Sequence, residues 1–189
     1  MTAPVTPRPE SPAVTGPALR SVMRRWATGV ALVTATAQGR PTGCTASSFT
    51  SVSLSPPLVL VSLNRSSRTL AAVTGQGAFG INLLGRHHRD LADRFATAPA
   101  EQRFAGIGHR LVRGVPVIDG AMAALVCRVE RTVSAADHLL VLGQPVWCDR
   151  NGTADPLVHF GSHYRCLAGG PAGARSGCSS VGDEQGDHG

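Results

Sequence analysis

The sequence contains no lysine, few aromatic residues and no long apolar run. All 18 basic side chains are arginines, and aromatic residues make up only 4% of the chain. The arginines form no dense basic run, and so few aromatics argue against a nucleic-acid surface built on base stacking. The formal charge of +6 suits small anionic ligands as well. No apolar segment approaches the roughly 18 residues that a membrane-spanning helix needs.

Paired cysteines, targeting signals and common catalytic motifs are also missing. The five cysteines are widely spaced, without a C-x-x-C pair, which favours reduced thiols in a cytoplasmic protein over a disulfide framework. The first residues contain no apolar core of a secretory signal. The sequence has no G-x-S-x-G, H-E-x-x-H or phosphate-binding G-x-x-x-x-G-K-[ST] motif, and no G-x-G-x-x-G after a strand. If the protein is an enzyme, we expect a cofactor to supply its chemistry.

Composition divides the chain into three parts. Residues 1–16 are rich in Pro, Thr and Ser and are predicted to be a flexible leader. Residues 169–189 are a Gly/Ser-rich segment that ends in acidic residues, and we predict a disordered tail there. The folded domain is therefore predicted to span residues 17–168.

Hydrophobic periodicity predicts a chain of mainly β structure with flanking helices. Helical spacing occurs in ALRSVMRRWATG, SRTLAAVT and HHRDLADRFAT. Most other segments alternate or run apolar over strand lengths, and Pro56-Pro57 separates two strands because proline lacks the ladder N–H. Many strands at hairpin spacing favour a closed or split barrel over a doubly wound parallel sheet.

The segment LVLVSLNRSSRTL, residues 58–70, joins a buried strand to a predicted helix through a loop of hydroxyls and two arginines. Backbone N–H groups at such a turn, together with the helix dipole, can bind an anion. Ser66, Ser67, Thr69 and Arg68 can add side-chain donors. The alternative is an ordinary helix N-cap beside a solvated arginine.

The segment TASSFTSVSLSPP, residues 45–57, places small hydroxyl residues where a strand usually has Val or Ile. Small side chains let a flat ring system approach the backbone. A small polar strand followed by a phosphate-binding loop suits an elongated, phosphorylated, planar ligand, and a flavin nucleotide fits that description. The site would contain no aromatic residue for stacking, and Phe49 is the nearest.

The run GCTASSFTSVSLSPPLVLVSLNRSSRTL resembles the flavin reductase-like domain family, the short-chain NAD(P)H:flavin reductases of two-component flavin-dependent monooxygenases. WATGVALVT, AFGINLL, DLADRFA, RVERTVSAADHLLVLGQPV and HFGSHYR match in the same order. The resemblance implies an FMN-binding split β-barrel, usually a homodimer with flavin near the subunit interface. It further implies FMN or FAD and NADH or NADPH as cofactors, and a monooxygenase component that receives reduced flavin.

The resemblance also assigns site residues. It implies that the isoalloxazine and ribityl chain lie on Thr45, Ala46, Ser47 and Ser48. It implies that the ribityl and phosphate end lies on Ser62, Asn64, Ser67, Arg68 and Thr69, with Asn82 close to it. The family's Gly-Asp-His signature, linked to the nicotinamide, corresponds here to Ala136, Asp137 and His138. An alanine in place of that glycine could alter the turn or crowd the dinucleotide.

Three alternatives accompany this interpretation. A lone histidine such as His138 at a strand start can be a structural turn residue. The spacing of His159, His163 and Cys166 resembles part of a zinc site, but no fourth ligand is evident and a strand does not place all three on one face, so no metal is predicted. The protein could also keep FMN tightly bound and pass electrons to another acceptor, or bind flavin without catalysis.

Overall fold

A computed structural model of the chain describes residues 13–151 and 155–167. This part of the chain forms three α-helices: α1 (Gly16–Met23), α2 (Arg68–Gln76) and α3 (Arg89–Thr97). Single 3₁₀ turns flank α3 at Arg86–His88 and Ala100–Gln102. Residues 1–12 of the predicted leader and the whole predicted tail, residues 169–189, lie outside the described residues.

The described residues also form twelve strands. They are β1 (Thr28–Gly29), β2 (Ala31–Ala37), β3 (Arg40–Ala46), β4 (Thr50–Leu54), β5 (Pro57–Asn64), β6 (Ala78–Leu83), β7 (His109–Val112), β8 (Val115–Ile118), β9 (Ala123–Ala135), β10 (His138–Arg150), β11 (Val158–Phe160) and β12 (His163–Arg165). The predicted break at Pro56-Pro57 is confirmed, since β4 ends two residues before Pro56 and Pro57 begins β5.

Seven of the strands form one antiparallel sheet in the order β3-β2-β6-β9-β10-β5-β4. The long hairpin of β9 and β10 joins the two halves of this sheet, because β9 pairs with β6 and β10 pairs with β5. Strands β7 and β8 form a separate hairpin, and β11 lies between β1 and β12 in a small third sheet. The prediction of mainly β structure with flanking helices is confirmed.

The core has two main parts because β2 is buried on both of its faces. Alternate residues of a strand point to opposite sides, so Val33 packs with α2 and its neighbour Leu32 packs towards α3. The first cluster includes Val33, Val61, Leu70, Val73, Phe79 and Ile81. The second includes Leu32, Leu84, Phe95, Ile118 and Leu157. The two helices are thereby fixed on either side of β2, and α2 presents its N-terminus at the end of β5.

Helix α1 is confirmed, but it ends at Met23, and Trp26 follows in a turn. Its apolar residues remain exposed, and Trp26 is 65% exposed. The edge strand β4 also exposes apolar residues, with Leu54 at 86%. In the described part of the chain, every helix is too short or too polar to cross a bilayer.

Candidate functional site

The loop between β5 and α2 is held by its own polar side chains. The carboxamide oxygen of Asn64 accepts hydrogen bonds from the Ser66 amide (2.9 Å) and the Ser66 hydroxyl (2.6 Å). Ser67 is the N-cap of α2, and its hydroxyl accepts from the Leu70 amide at 3.4 Å. The N-cap interpretation is therefore confirmed for Ser67, while Asn64 and Ser66 order the turn before it.

The N-terminus of α2 lies beside the hydroxyls of Ser66 and Ser67. The amides of Arg68 and Thr69 lie in the first turn, ahead of the first i−4 backbone bond, which Ala71 donates to Ser67. Two N–H groups and the positive end of the helix dipole therefore face the loop. An anion in contact with this loop would meet these donors as well as the serine hydroxyls.

The two arginines of the loop have different surroundings. Arg65 fastens the loop to the β9–β10 turn, because its amide donates to the Asp137 carbonyl (3.0 Å) and its Nε donates to the Ala136 carbonyl (2.9 Å). Arg68 extends outward from the first position of α2 and forms an ion pair with Glu101. Arg65 is therefore a structural residue in this fold, and Arg68 presents its guanidinium at the surface.

The Asp137-His138 turn lies directly beside the loop. His138 is paired in register with Asn64, and Ser62 is paired with Leu140, so Ser62, Asn64 and His138 share one face of the sheet. The His138 Nδ1 lies 2.9 Å from the Asp137 carboxylate. That hydrogen bond, together with the nearby His138 charge, lowers the pKa of the Asp137 carboxyl. The contact fixes the imidazole and directs its Nε2 away from Asp137.

Ala136 adopts a left-handed conformation, with φ = +51°. Glycine adopts this conformation without the steric cost that a Cβ introduces, which is on the order of 1 kcal/mol for alanine. The turn nevertheless forms, and the Ala136 carbonyl accepts the Arg65 hydrogen bond. Alanine at this position therefore retains a turn of the kind that favours glycine.

The hydroxyl-rich segment that begins at Thr45 is packed against the protein up to the end of β3 and exposed just after it. Thr45 donates its hydroxyl to the Ala92 carbonyl of α3 at 2.6 Å, and Ala46 is buried in the core. Ser47 and Ser48 follow the strand and are exposed. The Ser48 hydroxyl donates to the Ser62 carbonyl at 2.8 Å, so it links this segment to β5 near the loop.

Besides Ala46, two further predicted contact residues lie inside the protein. Thr69 is buried and forms a hydrogen bond with Cys44, whose thiol pKa is raised by burial and partly lowered by that contact. Asn82 is fully buried, and its amide nitrogen contacts the Leu32 carbonyl (3.3 Å) and the Thr34 hydroxyl (3.2 Å). The Asn82 oxygen accepts from the Ile118 amide at 2.8 Å.

The structure therefore does not bring the side chains of Thr69 and Asn82 to the loop surface. The family resemblance implied that both residues lie near the ribityl and phosphate end of the flavin. Burial and existing hydrogen bonds assign both side chains to the support of the fold. The backbone amide of Thr69 still lies at the helix N-terminus.

An open cavity of about 660 Å³ adjoins Ser47 and Ser48. Its other walls come from α1, from β1 and the turn that precedes it, and from the β11–β12 hairpin. The lining residues include Arg20, Arg24, Trp26, Phe49, His159 and Ser162. Trp26 and Phe49 both line this cavity, so two aromatic side chains lie beside Ser47 and Ser48, where the sequence analysis named only Phe49 as the nearest aromatic residue. Arg20 lies on α1 and Arg24 is the C-cap residue that follows it, and their i, i+4 spacing in the sequence could have revealed the basic wall.

The three residues considered for zinc lie at the β11–β12 hairpin and just beyond it. His159 is paired with Tyr164 across the strands, and His163 is paired with Phe160. Within residues 13–151 and 155–167, no three His, Cys, Asp or Glu side chains form a group that could hold a metal ion.

The chain matches the family model described as "Flavin reductase like domain" over residues 23–168. The chain belongs to the flavin reductase like domain family, as its ordered motifs predicted.

Curated relatives cover most of the chain. A "Probable flavin reductase" of Rhizobium meliloti is 42% identical over 71% of this chain and 44% of its own length. An "Actinorhodin polyketide dimerase" of Streptomyces coelicolor is 41% identical over 79% of this chain and 85% of its own. The "FMN reductase (NADH) RutF" of Ancylobacter novellus is 35% identical over 87% of this chain and 92% of its own. The chain thus spans less than half of the Rhizobium protein and most of the other two.

Solved structures share the fold. An NADH:FAD oxidoreductase of Streptomyces globisporus is 32% identical, with a TM-score of 0.78, and the match covers 85% of this chain and 100% of that one. The styrene monooxygenase flavin reductase of Pseudomonas putida S12 is 33% identical, with a TM-score of 0.71, and covers 79% of this chain and 96% of that one. The predicted split β-barrel is confirmed.

Proposed function

We propose that the protein transfers hydride from NADH or NADPH to FMN or FAD and supplies the reduced flavin to a partner monooxygenase. One observation carries the proposal: the Asn64–Arg68 loop and the α2 N-terminus, which suit a phosphate, lie in register beside the Asp137-His138 turn. The family and the activities of the relatives support the same class of reaction, that of an NAD(P)H:flavin oxidoreductase.

The residues present fit a flavin nucleotide. The cavity volume of about 660 Å³ lies within the range of roughly 300–1,000 Å³ that is usual for small-molecule sites. Ser47 and Ser48 would approach the ring edge, while Trp26 and Phe49 offer apolar and aromatic surface. The flavin would accept the hydride when it is bound.

The phosphate end of the flavin would lie on the loop. There the Arg68 guanidinium, the Ser67 hydroxyl and the first amides of α2 would bind the phosphate oxygens. Ser62 and Asn64 would lie along the path from the cavity to this loop, since Ser48 is bonded to Ser62 and Asn64 begins the loop turn. The protein contributes the alignment of two ring systems, because hydride transfer itself needs no acid or base.

For the nicotinamide we propose His138 and Asp137. Replacing His138 with alanine is expected to raise the apparent KM for NADH or NADPH, because the imidazole held by Asp137 would no longer contact the dinucleotide. Flavin affinity should change little, since the loop is held by Asn64, Ser67 and Arg65. Steady-state kinetics at saturating flavin give the KM, and fluorescence titration gives the flavin affinity. Weaker flavin binding with an unchanged KM would refute the assignment.

The proposed function is tested by following the oxidation of NADH and of NADPH with FMN, FAD or riboflavin as the acceptor. With at least one flavin nucleotide, each protein molecule is expected to oxidise many molecules of NADH or NADPH. A protein that only binds flavin would not consume the reduced nicotinamide catalytically. A protein that keeps FMN as a prosthetic group would leave gel filtration with a full equivalent of flavin, whereas we expect the flavin to be lost.

We further propose a homodimer. The apolar residues of α1 and the nearby Trp26 are exposed, and Met23 and Trp26 also form a wall of the cavity. A second copy packed on α1 would bury this surface and narrow the open side of the cavity. Sedimentation equilibrium should give the mass of two chains, and a monomer at micromolar concentration would contradict this proposal.

The monooxygenase partner and the cytoplasmic location are also proposals. The structurally similar Pseudomonas protein is the flavin reductase of a styrene monooxygenase, which supports an oxygenase as the acceptor of reduced flavin. Cys44, Cys127 and Cys148 form no disulfide in the described residues, which supports a reducing compartment. Thiol titration of the denatured protein without reductant should find every cysteine free, and a disulfide would argue against the cytoplasm.

A further inference from the structure

The Arg68 guanidinium, which we propose binds the flavin phosphate, already forms an ion pair with the carboxylate of Glu101. Glu101 lies in the 3₁₀ turn after α3, 33 residues away from Arg68 in sequence. One carboxylate oxygen of Glu101 contacts Nη1 of Arg68 as a hydrogen-bonded ion pair. The carboxylate thus uses a guanidinium donor that a phosphate oxygen would also require.

The ion pair between Arg68 and Glu101 is weak enough to dissociate. The side chains of Arg68 and Glu101 are 72% and 68% exposed, and exposed ion pairs contribute little net stability because water solvates both partners well. Glu101 is ionised at neutral pH, since a hydrogen bond from its own backbone amide and the contact with Arg68 lower the pKa of its carboxyl. Arg103 lies nearby but is held by the carbonyls of Ala98 and Gly43, so Arg68 is the partner that can change.

We infer that Glu101 competes with the flavin phosphate for Arg68 and thereby weakens the binding of phosphorylated flavins. This inference rests on the proposed function and identifies a residue that determines how tightly its cofactor is held. A phosphate brings more charge and more oxygens than a carboxylate, and it can also use the amides at the α2 N-terminus.

The same geometry gives Glu101 a role in release. Once the phosphate displaces Glu101 from Arg68, the displaced carboxylate remains close to the bound phosphate, and the two negative charges repel each other. As the flavin dissociates, Glu101 returns to Arg68 and compensates its charge. A reductase that delivers its product to a second enzyme requires such a moderate grip on the flavin.

The test removes the charge of Glu101 and retains its shape. With Glu101→Gln we expect FMN to bind ~2–5-fold more tightly at low ionic strength, as follows from the strength of an exposed ion pair. Riboflavin, which has no phosphate, should bind as it does to the unchanged protein. The matched control is Glu130→Gln, because Glu130 also forms an exposed ion pair with an arginine, Arg128. This substitution should change the affinity for neither FMN nor riboflavin. Flavin fluorescence titrations with the full chain give the FMN and riboflavin dissociation constants of the unchanged protein and of both variants.

The direction in which Glu101→Gln changes FMN affinity shows whether Glu101 competes with the phosphate or holds Arg68 in position for it. If Glu101 instead held Arg68 in position for the phosphate, Glu101→Gln would weaken FMN binding, and that result or an unchanged affinity would overturn the inference. Equal tightening of riboflavin would overturn it as well. Failure of the proposed function is seen separately, as the absence of nicotinamide oxidation by the unchanged protein or as an Arg68→Ala variant that binds FMN normally.

Discussion

Replacement of Arg68 with alanine is expected to weaken FMN binding by ~1.5–3 kcal/mol, as is usual for lost hydrogen bonds to a charged group. The guanidinium extends from the first position of α2 and is mostly exposed, so a phosphate on the loop can reach it. Riboflavin should be much less affected, because it has no phosphate to contact Arg68.

The measurement compares FMN and riboflavin affinities of the variant by fluorescence titration. Arg128→Ala is the matched control, since Arg128 is another exposed arginine that pairs with a glutamate, Glu130, and lies outside the proposed site. It should leave both affinities unchanged. An equal loss for FMN and riboflavin in Arg68→Ala would show that the residue does not act through the phosphate.

Replacement of Asn82 with leucine is expected to lower the free energy of unfolding by ~2–4 kcal/mol, because it removes buried hydrogen bonds and leaves their partners unsatisfied. The Asn82 amide joins β6 to β2 through Leu32 and Thr34, and its oxygen accepts from Ile118 of β8. Leucine has a similar volume, so the loss reports on polar groups more than on a cavity.

Urea unfolding monitored by circular dichroism gives this free energy. The fraction that stays folded should bind FMN with nearly unchanged affinity, because Asn82 is buried away from the loop surface. A stable Asn82→Leu protein that has lost FMN binding would return Asn82 to the flavin contacts that the family resemblance implies.

Much of the fold could be predicted from the sequence because its elements carry local signals. The alternation in β2, the helical spacing in α3 and the proline pair before β5 each act over a few residues. The ends of elements were harder to predict. Trp26 continues the apolar spacing of α1, yet the helix stops at Met23, where Arg25 and Trp26 donate i−3 hydrogen bonds to the Val22 and Met23 carbonyls and close the last turn.

The candidate site could be predicted only in part. Ser67 and Arg68 follow from the strand-to-helix loop, and Asp137 and His138 follow from the family motif. Whether a polar side chain faces the ligand or the interior depends on partners far away in sequence. Thr45 meets Ala92 of α3, and Asn82 meets Ile118.

The sequence by itself determined the strand-rich architecture, the family and the loop that suits an anion, because each is encoded in contiguous residues. The tertiary structure alone decided that Glu101 reaches Arg68, that Trp26 lines the cavity beside Ser47, and that the β9–β10 turn lies against the loop. Each of these contacts joins residues that are more than 20 positions apart. The packing of α3 and the register of the sheet bring them together, and no local pattern in the sequence records either one.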